Sequence, residues 1–518
     1  MPRAVTLPND IESLKQLVLE RTAALEAANA LLLSRQVEID QLKLQIKQLQ
    51  RMKFGRSSEQ LDAQIAQLEF KLEELESQEA SLPVPAPKAP RDKPVRRPIP
   101  EHLPREPHVH EPASTCTCPA CGGALRPLGE DVAEMLEYVP EHWKVIRHVR
   151  PKYSCASCQQ ITQASAPSRP IERGLPGPGL LAHVLVSKYC DHLPLYRQSQ
   201  IYAREGIEID RSTMAGWVGA GSALLQPLLD ALARYVLSAQ KLHADDTPVP
   251  VLAPGTGKTK LGRLWAYVRD DRPSGSTDPP AVLLRYTPDR KGKHPCEHLK
   301  DFSGILQADG YAGFNGLYDR PGNPLLEAAC WAHARRKHFE IFEATKSPIA
   351  EEALRRIGAL YGIEEQIRGR LPEERRRVRE AQSEPLLQDL HRWLLATVRK
   401  LPKKSELAGA IHYSLARWEA LCRFCHDGRI EIDNNSAERE LRMIALGRKN
   451  YLFAGADCGG ERAAAIYSLI GSAKLNGLNC EAYLRYVFAH IAEHPINKID
   501  ELLPWRLASR LAETKLAA

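Results

Sequence analysis

The sequence predicts a multidomain α+β chain. It reads as an N-terminal coiled coil, a zinc-ribbon-like module, a helical region, and an α/β core interrupted by an all-helical insertion. Three observations carry that reading. Apolar residues recur in heptads through the first fifty positions, two Cys-x-x-Cys pairs are separated by 33 residues, and four strand-like runs between 241 and 314 precede a long helical stretch.

Residues 1–80 are assigned to the coiled coil. Ile11, Val18, Leu25, Leu32, Ile39 and Ile46 fall every seventh position, and Leu14, Leu42 and Leu49 occupy the companion position, with Arg21, Ala28 and Arg35 weakening it. A seam held in register over that length favours helix association over an ordinary surface helix. A second set, Leu61, Ile65, Leu68, Leu72 and Leu75, follows Gly55. One broken coiled coil between chains or a hairpin folded on itself would accommodate both sets. Self-association is favoured, because each segment alone has little else to bury against.

Residues 81–113 are dense in proline, which holds a chain extended, and read as a semi-rigid basic linker. A zinc-finger-like module is expected over 114–165. Cys118-x-x-Cys121 and Cys155-x-x-Cys158 supply four thiolates, the donor set of a tetrahedral structural zinc. The gap between the knuckles leaves room for a short sheet that includes HWKVIRHVRPKYSC. Cys116 is near enough to compete but lacks the pair spacing. Residues 166–240 are helical in pattern. Within them QSQIYAREGIEIDRSTMAGWVG fits either a helix-turn-helix presenting polar residues to DNA or an ordinary helical pair with a capped second helix.

KLHADDTPVPVL (241–252) and GILQADGYAGF (304–314) are short apolar runs ending in aspartate and turn residues, with strands GRLWAYVRD and AVLLRYTPD between them. Asp245 and Asp309 therefore sit on the first and fourth strands. Adjacent residues on a strand point to opposite faces, so only one of Asp245 and Asp246 should enter a site. A third acid, Glu438, lies in EIDNNSAERELRMIALGRKNYLF (431–453), at the start of a helix and followed by Arg439, Arg442, Arg448 and Lys449. Asn434, Asn435 and Glu438 would share one helix face. The same stretch fits a capping box, in which Glu438 would serve only the backbone. Asp433 competes for the third position but suits a turn acceptor. Three carboxylates from separate elements can hold two magnesium or manganese ions for phosphodiester chemistry.

The 128 residues between Asp309 and Glu438 exceed one crossover, and about 345–424 look helical. Cys330-x-x-His333 is half a metal site, and His333 could orient a phosphate or water. Cys422-x-x-Cys425 receives no function. The Arg375-Arg376-Arg377 run is read as a solvated helix face beside Glu373 and Glu374. The candidate DNA contacts are His333, Arg335, Arg336, Arg439, Arg442, Arg448 and Lys449.

LHADDTPV, LQADGYAGF, CWAHARRK, DGRIEIDNNSAERELR, GRKNYLF, SLIGSAKLNG and HPINKIDELLPW occur in an order that resembles the DDE transposases of the family named for bacterial insertion sequence 66. MKFGRSSEQL, HLPREP and LVSKYCDHLPLYRQ extend the resemblance over nearly the whole chain. It implies an RNase H-like catalytic core over 241–475 with the acids Asp245, Asp309 and Glu438, a zinc module with DNA contact, and a C-terminal tail from 476 to 518. It favours Asp245 over Asp246, leaving Asp246 to hydrogen-bond or cap nearby backbone. It also implies a bacterial, nucleoid-associated protein, double-stranded DNA as substrate, and two small accessory proteins of the same element. The segment before DGR departs from the family's usual pattern.

Net charge is +7 and the pI is near 8.7, a mild excess compatible with nucleic acid but carrying little weight alone. There is no apolar signal core and no membrane-length run, and the twelve scattered cysteines suit a reducing compartment, so a cytoplasmic location is expected. The function expected is metal-dependent cleavage and strand transfer at the ends of an insertion sequence. The alternatives are a zinc-containing DNA-binding regulator on a non-catalytic scaffold, and a nuclease or resolvase without joining.

Overall fold

The computed structural model describes residues 99–112, 117–139, 142–171, 174–253, 258–447, 450 and 454–516, with isolated positions between 15 and 45. Most of the heptad seam, most of the proline-rich linker, and Arg448 and Lys449 lie outside the described residues. What is described is a mixed α+β fold with two sheets and a large complement of helices.

The first sheet fills the gap between the two cysteine pairs. Strands β2 (Leu125–Val139) and β3 (His142–Cys155) form a long antiparallel hairpin, with β1 (Arg105–Val109) parallel to β3 and β4 (Ile161–Gln163) antiparallel to it. The far end of the hairpin carries the cysteines. Its near end enters the main core through Leu136, Trp143 and Val145. Glu137, buried there, accepts hydrogen bonds from the backbone of Gly179 (3.0 Å) and Leu180 (2.5 Å) at the start of the helix Pro178–Tyr189. That helix has no side-chain cap of its own, so the hairpin satisfies donors the helix leaves open.

The second sheet has the order β7-β6-β5-β8-β9. Strands β5 (Lys241–Ala253), β6 (Lys258–Arg269) and β7 (Ala281–Thr287) are antiparallel neighbours, while β8 (Ile305–Gln307) and β9 (Leu326–Ala328) run parallel to β5. Sequence reasoning missed β9, whose three residues carry no readable alternation. It also ended the first strand at the aspartates, whereas β5 continues through Pro248 and Pro250 to Ala253. The physical reason is the ladder: β8 pairs with β5 only over Lys241–His243, so beyond that point one side of β5 needs few donors and tolerates proline.

The far edge of the sheet is protected by the helix Asp457–Leu475. Ser468 and Ser472 accept hydrogen bonds from the β7 backbone at Leu284 (2.8 Å) and Val282 (3.1 Å). An edge strand that would otherwise offer open donors is thereby closed by hydroxyls. The helices Pro178–Tyr189, Leu195–Arg204, Arg211–Leu224 and Gln226–Leu237 share one core with the sheet, including Trp217, Leu228 and Leu232. The turn of the suggested helix-turn-helix is present at Gly206, at φ +80, but Asp210 makes no side-chain cap to the following helix. The C-terminal segment is packed and not a loose tail: Tyr483, Leu484, Val487 and Phe488 of the helix Cys480–His490 are all buried in that core.

Between β9 and residue 425 the chain is helical, through Trp331–Thr345, Pro348–Ile367, Pro372–Val378, Glu384–Val398 and Glu406–Leu415. These helices enclose a second core around Trp331, Ile357, Leu360, Leu390 and Phe424. The arginine run forms the expected solvated face at Arg376 and Arg377 but not at Arg375. Arg375 is buried and paired with Glu431 at 2.8 Å, Arg379 is buried against Glu364, and Arg376 answers to exposed Glu373. Arg375 and Arg379, four apart, share the inward helix face, while Arg376 and Arg377 stay on the outer one.

Candidate functional site

Strand pairing brings the first two acids together. The parallel ladder pairs His243 with Gln307, and Asp245 and Asp309 each lie two residues beyond that rung. The backbone N–H of Asp246 donates to Asp245 Oδ1 at 2.8 Å. Asp309 Oδ1 accepts from Tyr311 N at 3.0 Å, which fixes the turn after β8. That turn needs Gly310: its φ is +81, and a Cβ there would meet Arg417 Nε at 2.4 Å. Burial, then the charge of Asp309, pushes the Asp245 carboxyl up to about 7, with Asp246 and Glu438 adding to the rise. Desolvation is the main cause, and the neighbouring carboxylates add to it.

Asp246 has a different fate. Its carboxylate is 1% exposed and pairs with Arg290 (2.7 Å) and Arg263 (3.0 Å). Of the two roles expected of it, hydrogen bonding or capping nearby backbone, it takes the first, with guanidinium groups as donors. Arg290 also lies over the Tyr311 ring at 4.0 Å, linking the Asp246 pair to the turn after Asp309. Neither arginine was legible beforehand, since both come from segments other than the one that carries Asp246 and only the fold brings them to it.

The third acid arrives on the helix Asn435–Gly447. Asn434, expected to share a helix face with Glu438, lies just outside the helix and is fully buried. Its Nδ2 donates to Ala244 O (2.8 Å), which turns Oδ1 toward His243 Nδ1 at 3.1 Å. Burial lowers His243 to about 3, so the ring is neutral and its Nδ1–H is the donor. Asp433 is the turn acceptor, receiving the Asn435 backbone N–H at 3.1 Å and its side-chain amide at 2.8 Å.

Glu438 does not act as a capping-box acid. Its carboxylate faces the Trp331 helix, with Arg336 at 3.5 Å from Oε2 and His333 Nδ1 at 3.7 Å from Oε1. Asp245, Asp246, Thr247, His333, Arg336, Glu438, Arg439 and Arg442 line one open cleft of about 700 Å³. Asp309 is not on that lining, but its charge reaches the Asp245 carboxyl beside it. Arg335 points to an adjoining hollow of about 540 Å³, beside Phe339 and Tyr361. Arg439 and Arg442 are exposed along the cleft.

Among the described residues, two groupings bring three or more metal-capable donors within 4.8 Å of one another: the four cysteines, and Cys330, His333 and Glu438. Asp245, Asp309 and Glu438 are not so tightly drawn together. At the cysteine site Cys118 Sγ lies 3.5 Å from Cys158 and Cys121 Sγ lies 3.4 Å from Cys155. The knuckles are closed by Cys118 N to Gly123 O and Cys155 N to Gln160 O. Backbone donors from Cys158 and Ser157 lower the Cys155 thiol to about 6, favouring the thiolate a metal needs. Four sulfurs so placed fit a tetrahedral structural zinc. Cys422 and Cys425 lie against the insertion core, and burial pushes Cys422 up to about 12.

Family comparisons cover most of the chain. A model described as the transposase IS66 family matches residues 173–462, and the zinc-finger binding domain of transposase IS66 matches 115–159. A model described as transposase C of IS166 homeodomain matches 41–107, and the IS66 C-terminal element matches 468–505. Among similar proteins is the uncharacterized protein y4hP of Sinorhizobium fredii, 42% identical over 92% of this chain and 90% of its own length. The uncharacterized protein y4qI of the same organism is 38% identical, over 96% of this chain and 97% of its own length. Among the described residues no helix is long and apolar enough to cross a membrane.

Three outcomes follow from this geometry. Cys155→Ser should lower bound zinc by one ion per chain, read by elemental analysis of protein prepared without chelator; unchanged zinc would reject the four-cysteine site. The Asp245 value is raised from 3.8 to about 7, so across that window the folded chain keeps a proton the unfolded chain has released, and stability falls as pH rises. Asp245→Asn should therefore melt above wild type by a wider margin at pH 8 than at pH 5 in divalent-free buffer; an equal margin would count against the acidic cluster. Asp246→Asn strips a buried partner from two arginines and should cost roughly 3 kcal/mol of stability. A melting temperature matching wild type would contradict that role.

Proposed function

The chain belongs to the IS66 transposase family, and from that membership we propose that it is a DDE-type enzyme that cleaves and joins DNA at the ends of an insertion sequence. The observation that carries the reading is the convergence of Asp245 and Asp309 from adjacent parallel strands, beneath a helix that brings Glu438 to the same cleft. The strand order, with three antiparallel strands followed by two parallel ones on the far side of the first, supports an RNase H-like core.

The donors fit hard divalent cations. All three are carboxylates, and burial, then the neighbouring Asp309 charge, raises the Asp245 carboxyl in a way that a bound cation would relieve. Two magnesium or manganese ions bound there would activate the attacking oxygen and neutralise charge at the phosphate. Asp245 and Asp309 would hold them and Glu438 would complete one coordination shell, leaving its contact with Arg336 to do so. Asp246 stays out of that role because Arg263 and Arg290 already occupy it.

The remaining cleft residues act on the DNA. Arg336, Arg439 and Arg442 line the same cleft as Asp245, where their guanidinium groups would hold phosphates near the acids. Arg335, Arg448 and Lys449 would extend that contact along the duplex. His333, a fifth exposed and beside Glu438, is better placed to orient that carboxylate or a water than to grip a phosphate directly. Positioning and charge neutralisation then supply most of the rate. The N-terminal heptads would assemble copies of the chain, and two small accessory proteins of the same element are the expected partners.

Asp245→Asn, Asp309→Asn and Glu438→Gln should each reduce strand transfer at least about 100-fold while retaining binding to element-end DNA. The assay scores joined product with the element's own ends, in magnesium and with and without the accessory proteins. Joining by Glu438→Gln at the wild-type rate would remove Glu438 from the triad. Cleavage without joined product in wild type would make the enzyme a nuclease.

A further inference from the structure

The helix Trp331–Thr345 opens with Cys330 in the position before its first turn and His333 one turn in. Opposite them stands Glu438, and the three donor atoms Sγ, ring nitrogen and carboxylate oxygen lie within 4.8 Å of one another. Two of these atoms, His333 Nδ1 and Glu438 Oε1, are buried, face each other at 3.7 Å, and make no hydrogen bond. That separation is too long for a direct bond. It matches two ligands of one tetrahedral ion, which stand roughly 3.5 Å apart when metal–ligand bonds are near 2.1–2.3 Å.

The sulfur is dressed in the same way as the sulfurs of the four-cysteine site. Cys330 Sγ accepts the backbone N–H of Asn434 at 3.2 Å, as Cys155 Sγ accepts those of Ser157 and Cys158 at 3.4 and 3.5 Å. The backbone donor leaves the sulfur's other side free for a ligand bond, although burial keeps Cys330 a thiol until an ion displaces its proton, unlike Cys155. Asn434 is itself clamped to β5, so the three ligand-bearing segments are fixed relative to one another.

We propose that Cys330, His333 and Glu438 form a second zinc site, distinct from the four-cysteine site, with one coordination position open to water. The donor set selects the metal: a thiolate and an imidazole suit zinc and disfavour magnesium, which takes oxygen ligands. Binding exchanges the Cys330 S–H proton for the ion and releases it to solvent. The site stands on these three side chains; it shares Glu438 with the proposed carboxylate triad, so zinc here and a catalytic magnesium on Glu438 are alternative occupants, and zinc binding is read independently of strand transfer.

Equilibrium dialysis of the full chain against micromolar free zinc in excess magnesium, followed by elemental analysis, tests the proposal. Wild type should hold about two zinc ions per chain, and Cys330→Ser and His333→Asn should each hold one. Cys155→Ser should also hold one, through the other site, so the two losses add in the double variant. Cobalt in place of zinc should give Cys155→Ser a thiolate charge-transfer band that Cys330→Ser removes from that background. One ion in wild type, or two in both Cys330→Ser and His333→Asn, overturns the site. A variant that loses its circular dichroism is set aside in favour of the other, because the two substitutions disturb different packing.

Discussion

The structure depends on how residues 431–434 are tied to the sheet. This stretch runs past β8 and β5 without a strand's ladder, and side chains do most of the pairing. Gln307 donates to Glu431 O (2.5 Å) and accepts from Glu431 N (3.2 Å); Asn434 spans His243 and Ala244 O; and Trp331 N reaches Ile432 O at 3.0 Å. These bonds set where the Asn435 helix begins, and hence where Glu438 points. An unmet partner in any of them would leave a buried polar group exposed to a low-dielectric interior, which costs about 1–3 kcal/mol.

The same stretch couples the insertion to the cleft. Glu431 is paired with Arg375, which also donates to Gly428 O at 2.7 Å, and Glu364 is held by Arg379 at 2.6 Å. Buried ion pairs contribute little net stability against apolar substitutes, but breaking one is costly, so their effect is to fix geometry. The helical insertion is therefore a brace. It presents His333 and Arg336 to Glu438 on one side and grips the preceding loop on the other.

Much of this was legible in the sequence, for reasons that differ by element. The paired cysteines could be read because zinc demands a spacing, and the apolar runs around Asp245 and Asp309 because central strands need them. Asp245 and Asp246 could not be separated by alternation, since both faces of β5 are covered and Leu242, His243 and Ala244 are all buried. The deciding residues, Arg263 and Arg290, come from a neighbouring strand and a loop. The inward turn of Arg375 and Arg379 was hidden for the same reason: their partners, Glu431 and Glu364, are remote in sequence and only the fold brings them near. The link between Cys330-x-x-His333 and Glu438 spans more than a hundred residues and had no local signal.

The central claim is that Asp245 and Asp309 are metal ligands, and diffraction from crystals of the full chain soaked in manganese tests it most directly. The account predicts anomalous peaks in the cleft with carboxylate oxygens of Asp245 and Asp309 at about 2.1 Å. Manganese bound elsewhere, with both aspartates free of it and Asp245 still protonated near neutral pH, would contradict the account.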